Sequence, residues 1–140
     1  MKFIFYISIL LMLTIFSTTK VNGQTHQNLP NNYVVLNKKV PQLKPILITA
    51  KKLKEEDGEN FGKFEIIFCG KEIADITDPS KIEKFIHEAD RLGVQLVACG
   101  FSLNKFKVDH TSVPAGIKIV ENGILYNFQL QKMGFLSLSL

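Results

Sequence analysis

The stretch KFEIIFCGKEIADITDPSKIEKFIHEADRLGVQLVACG, residues 63–100, decides the fold. It opens with a short apolar run, Phe64 to Phe68, that ends in Cys69-Gly70. Asp78 is placed to cap a helix and Pro79 to occupy its first position, where a missing N–H costs nothing. Ile82, Phe85, Ile86 and Ala89 then recur at i, i+3, i+4 and i+7, one stripe of an amphipathic helix. Gly93 supplies a left-handed stop. A second apolar run, Val94 to Ala98, ends in Cys99-Gly100. Two short apolar strands joined by one amphipathic helix predict a parallel βαβ unit with a right-handed crossover. In open parallel sheets, ligands and reactive groups gather beyond the carboxyl ends of the strands. Cys69 and Cys99 are therefore both expected at that edge.

Outward from this unit, YVVLN (33–37) reads as a strand, and Pro41 and Pro45 punctuate the chain before a helix from about Ile46. EEDGENFGK (55–63) reads as a surface loop, GIKIV (116–120) as a strand, and FLSLSL (135–140) as an alternating closing strand. Residues 122–133 pull toward a hairpin: Asn122-Gly123 is a turn signal, and Tyr126, Phe128 and Leu130 alternate with Asn127, Gln129 and Gln131.

The amino end has the order of a secretory signal peptide: Lys2, the apolar FIFYISILLMLTIF (3–16), then polar STTKVNG with small residues before a cut ahead of Gln24. The apolar stretch is shorter than the roughly 20 residues of a spanning helix. The expected organisation is a signal peptide over 1–23, a flexible lead-in over 24–32 and one domain over 33–140. The mature chain is then exported, periplasmic or secreted, with no stable membrane insertion. Of the 140 residues, 17 are Lys or Arg and 13 Asp or Glu, a formal charge of +4. It falls to +2 when Lys2 and Lys20 leave with the signal. So mild and scattered a charge, without a basic stripe interleaved with aromatics, argues against nucleic acid as a partner.

No glycine-rich phosphate loop, HExxH, CxxC or GxSxG occurs, the three histidines are widely spaced, and no metal or cofactor is expected. Chemistry is left to the cysteines. A nucleophilic cysteine needs some exposure and a thiolate favoured by backbone donors or positive charge. Gly100, Phe101 and Ser102 follow Cys99 and offer N–H groups, Lys105 and Lys107 offer charge, and His110 offers a base. The alternative is that Cys99 is a buried structural residue, as cysteines often are. Cys69 reads first as structural and second as an additional thiol.

FEIIFCGKEIADI, LGVQLVACGFSLNKFKVD and VPAGIKIVENGILYNFQLQKMGFLSLSL together resemble the DsrE family of sulfur-handling proteins, over residues 33–140. The most specific element is Gly-Val-x-Leu-x-Ala-Cys, followed by a short loop and Pro-x-Gly-Ile. The resemblance implies a three-layer α/β/α sandwich with a parallel sheet of about five strands, and a helix in place of the hairpin at 122–133. It implies a homo-oligomer, trimer or hexamer, and a sulfur carrier or sulfurtransferase-like protein that holds sulfane sulfur as a persulfide on Cys99. Sulfur donor and acceptor proteins are its implied partners. An exported chain departs from the cytoplasmic setting of such relatives and excludes a role in tRNA thiolation. Two other readings stay open: a non-catalytic oligomeric binding module, and a thiol-redox protein using Cys69 and Cys99. The last requires the two cysteine-bearing strands to be neighbours, since disulfides need Cα atoms roughly 4.4–6.8 Å apart.

Overall fold

A computed structural model describes residues 29–140. The expected signal peptide and most of the expected lead-in lie outside the described residues. The end of the lead-in is corrected, because Asn31 and Asn32 already belong to the first strand.

Among the described residues, five strands alternate with four α-helices: β1 (Asn31–Asn37), α1 (Leu43–Asp57), β2 (Phe61–Phe68), α2 (Pro79–Leu92), β3 (Val94–Cys99), α3 (Gly100–Lys105), β4 (Ile117–Val120), α4 (Gly123–Lys132) and β5 (Leu136–Ser139). Every strand pair is parallel, in the order β4-β3-β2-β1-β5. This is the predicted α/β architecture, and its central strands read as continuous apolar runs because both faces are covered.

Handedness places the layers. The chain steps from β1 through β2 and β3 to β4 in one direction, then returns past all of them to β5. Right-handed crossovers put α1 and α2 on one face and α4 on the other. The contacts agree: α1 packs against α2, while α4 lies across β1, β2, β3 and β5. Alternation then sorts the side chains. Ile66, Phe68 and Leu96 face α1 and α2, and Ile67, Val97 and Cys99 face α4.

The βαβ unit forms as its residues dictate. Asp78 accepts a hydrogen bond from the Ser80 N–H at 3.0 Å, Pro79 opens α2, and Gly93 closes it at φ +76°. Ile82, Phe85 and Ala89 are buried.

Three boundaries differ from the sequence reading. Helix α1 begins at Leu43 because Pro45 falls in its first turn, where proline is tolerated. It runs on through Asp57, supported by Glu55 pairing with Lys51 and Lys52 one turn earlier, so the loop expected at 55–63 shrinks to one 3₁₀ turn. Residues 123–132 form a helix, against the alternation in the sequence and with the resemblance. The Asn122 side chain accepts hydrogen bonds from the Ile124 and Leu125 N–H groups, so Asn-Gly is here a helix cap and not a hairpin turn.

Helix α4 is pinned to the sheet at two places. The Tyr126 hydroxyl donates to the buried Glu65 carboxylate at 2.9 Å. One turn earlier, the Gly123 N–H points at Cys99.

Candidate functional site

Strands β2 and β3 are neighbours, with Phe68 opposite Ala98. One residue further on, Cys69 stands beside Cys99. On the other side of β2 the pairing with β1 reaches the same point, the Cys69 N–H donating to the Asn37 carbonyl at 3.0 Å. Both thiols are free and lie beneath the first turn of α4. The cover is a glycine for a steric reason. A Cβ on Gly123 would sit 2.5 Å from the Cys69 Sγ, 2.8 Å from Ile67 and 3.0 Å from the Cys99 Cβ. No side chain fits between this helix and the two cysteines.

The Cys99 sulfur is surrounded by donors. The Gly123 N–H donates to it at 3.2 Å, and Ser102 and Cys69 lie beside it as further groups that favour its charged form. The Ser102 hydroxyl oxygen accepts the Gly70 N–H at 3.0 Å, which ties the turn after Cys69 to the helix that follows Cys99. Burial by itself opposes the thiolate, but the donors outweigh it and hold the Cys99 thiol below the ordinary cysteine value. Cys69 is shifted the other way. Burial, then the negative charge and hydrogen bond of Cys99, push its thiol up to about 12. Within the pair, Cys99 is the more readily ionised thiol and Cys69 the one that holds its proton longer.

These opposite shifts make stability depend on pH. An unfolded cysteine loses its proton from about pH 9, whereas folded Cys69 holds it to about pH 12. Above pH 9 the unfolded chain therefore binds fewer protons at this residue, and stability falls as pH rises through that window. Cys99 acts in the opposite sense. Its lowered value contributes stability above the unfolded value that is lost as pH falls through the folded one. Urea-unfolding midpoints measured across the alkaline window are expected to decline more steeply in wild type than in Cys69→Ser. Tyr33, which burial and Asp57 also push up to about 12, declines equally in both.

The other residues singled out from the sequence are only partly brought together. Ser102 is at the site as a donor. Gly100 is buried and keeps β4 close: a Cβ there would lie 3.0 Å from the Val120 carbonyl. The Phe101 N–H is taken by the Glu121 carbonyl at 2.8 Å, and its ring is exposed. Lys105 lies over the Phe106 ring, and exposed His110 bonds Asn104. None of Lys105, Lys107 and His110 is among the groups acting on the Cys99 thiol, which are Ser102, Gly123 and Cys69. The expected partial exposure of Cys99 is also corrected: it is 2% exposed and Cys69 9%. The sequence reading missed Gly123 altogether, because Asn122-Gly123 carries the same letters as a hairpin turn. Asn122 read as a cap would have found it.

Beside Gly70, a recess of about 150 Å³ is lined by Lys38, Lys39, Lys71 and Glu72. Among the described residues, no group of three or more His, Cys, Asp or Glu is placed to hold a metal ion, and no helix is long and apolar enough to cross a membrane.

No family model matches the chain, and no curated protein matches it in sequence. Among solved structures it is similar to MTH1491, a protein of unknown function from Methanobacterium thermoautotrophicum, at 16% identity and a TM-score of 0.64. The match covers 79% of this chain and 99% of that one. At this identity the likeness speaks for the fold alone: an α/β domain built on a parallel sheet.

Proposed function

We propose that this chain is an exported, DsrE-like sulfur carrier that holds sulfane sulfur as a persulfide on Cys99. The observation that carries the reading is the set of donors converging on the Cys99 sulfur at the carboxyl edge of the sheet. A thiolate is the form that attacks a sulfane sulfur, and these groups shift Cys99 toward it. The three lysines beside Gly70 suit an anionic donor such as polysulfide, by raising its local concentration. The exposed Ile124, Leu125 and Phe128 on the outer side of α4 are what a homo-oligomer would bury, and they support that part of the reading.

The test is the intact mass of the purified protein after brief exposure to inorganic polysulfide, quenched with acid. Wild type is expected to gain one sulfur atom at the shortest times, removed again by reductant, and Cys99→Ser to gain none. The 2% exposure of Cys99 favours a second reading, a binding module whose cysteines are structural. Native protein unchanged by both polysulfide and iodoacetamide would establish that reading in place of the first.

A further inference from the structure

We propose that Cys69 is the resolving thiol of this site, so that sulfur taken up on Cys99 is discharged inside the protein as sulfide and leaves a Cys69–Cys99 disulfide. The inference rests on the carrier reading above and says what becomes of the carried sulfur.

Three observations support it. First, the two cysteines lie one residue beyond the last register pair of adjacent parallel strands, Phe68 opposite Ala98, and the strand spacing of about 4.8 Å falls within the Cα separation a disulfide accepts. Both sulfurs lie on the same face, under the same glycine. Second, both are free thiols in one small space: a Cβ on Gly123 would meet Cys69 Sγ at 2.5 Å and Cys99 Cβ at 3.0 Å. Third, Cys99 is 2% exposed and Gly123 packs directly on it, which keeps a protein-sized acceptor away from its inner sulfur. Cys69 is the nucleophile already inside.

The step balances as a thiol–disulfide exchange. The Cys69 thiol, giving its proton to the outer sulfur as it does so, attacks the inner sulfur of the Cys99 persulfide. A bond forms between the two cysteine sulfurs, and the bond from Cys99 to the outer sulfur breaks. The outer sulfur leaves with the electron pair of that bond and, with the Cys69 proton, departs as hydrogen sulfide. The sulfane sulfur is thereby reduced by two electrons, and the two cysteines are oxidised by two. An external thiol restores the pair by attacking the disulfide at Cys69, the more exposed of the two. The substrate class is a sulfane-sulfur donor such as polysulfide, and the product is sulfide.

The experiment compares the reduced full chain, Cys69→Ser and Cys69→Ala, each exposed to inorganic polysulfide without oxygen, desalted and weighed intact over time. Wild type is expected to end two hydrogens lighter with no added sulfur, and peptide mapping to show Cys69 joined to Cys99. Both variants are expected to remain one sulfur atom heavier, with a persulfide lifetime longer by at least about tenfold. If wild type keeps its added sulfur as long as the variants do, Cys69 is not a resolving thiol and the carrier reading stands alone. If neither wild type nor the variants change mass, Cys99 takes up no sulfur and both readings fall. The wild-type masses decide the matter even if one variant folds poorly.

Discussion

Gly123→Ala is expected to destabilise the protein by about 1–3 kcal/mol, the usual effect of forcing a methyl group into a filled core. It is also expected to abolish the distinct behaviour of the Cys99 thiol. The added Cβ would fall 2.5 Å from the Cys69 sulfur and 2.8 Å from Ile67, and a strand-borne isoleucine has little room to move aside. Helix α4 therefore has to rise, which carries the Gly123 N–H away from the Cys99 sulfur that it meets at 3.2 Å. Burial then acts on Cys99 with fewer donors to oppose it. The pH at which the thiol begins to react with iodoacetamide should move up, and the urea midpoint should fall with an unchanged slope. A variant as stable as wild type, with an unshifted alkylation profile, would show that the helix adjusts freely and that Gly123 does not shape the site.

Phe68→Ala is expected to cost more in stability, about 3–5 kcal/mol, and to leave the thiol pair alone. Phe68 is 2% exposed and ends β2 between Asn37 and Ala98, with its ring turned toward α1 and α2. Its neighbour Ala98 is too small to fill the space a truncated ring leaves. Yet Phe68 is one residue before Cys69, and successive side chains of a strand point to opposite faces. The backbone bonds that hold the end of β2 in the sheet, including the Cys69 N–H to the Asn37 carbonyl, do not pass through the ring. Urea unfolding should thus show a large loss, while the alkylation profile of the folded protein stays where it was. A shifted profile would mean that the two faces of the sheet are coupled through the β2 backbone. Taken with Gly123→Ala, this variant separates damage to the fold from damage to the site.

The parts of the fold legible in the sequence are those set by near neighbours along the chain. Asp78, Pro79 and Gly93 bound α2 because a cap, a first-turn proline and a left-handed glycine each act within one helical turn. The apolar runs before Cys69 and Cys99 read as strands because both faces of a central parallel strand are covered. Helix α4 was not legible this way. Its buried face consists of Gly123, Asn127 and Leu130, while Ile124, Leu125 and Phe128 point outward. A helix that buries glycine and asparagine and exposes its large apolar residues has no helical stripe, and its alternation imitates a strand. The resemblance supplied the helix where periodicity could not.

The site divides along the same line. That each of two strands ends in Cys-Gly is a fact of the sequence, and so is the expectation that both ends lie at the carboxyl edge of a parallel sheet. Whether the two cysteines meet depends on strand order, a long-range property that no local pattern encodes. The order β4-β3-β2-β1-β5 makes β2 and β3 adjacent, and the return of the chain from β4 to β5 lays Gly123 over both thiols. The sequence determined which residues are reactive in kind. Only the tertiary structure decided that they are adjacent, buried and of unequal acidity, because those properties come from contacts between residues far apart in the chain.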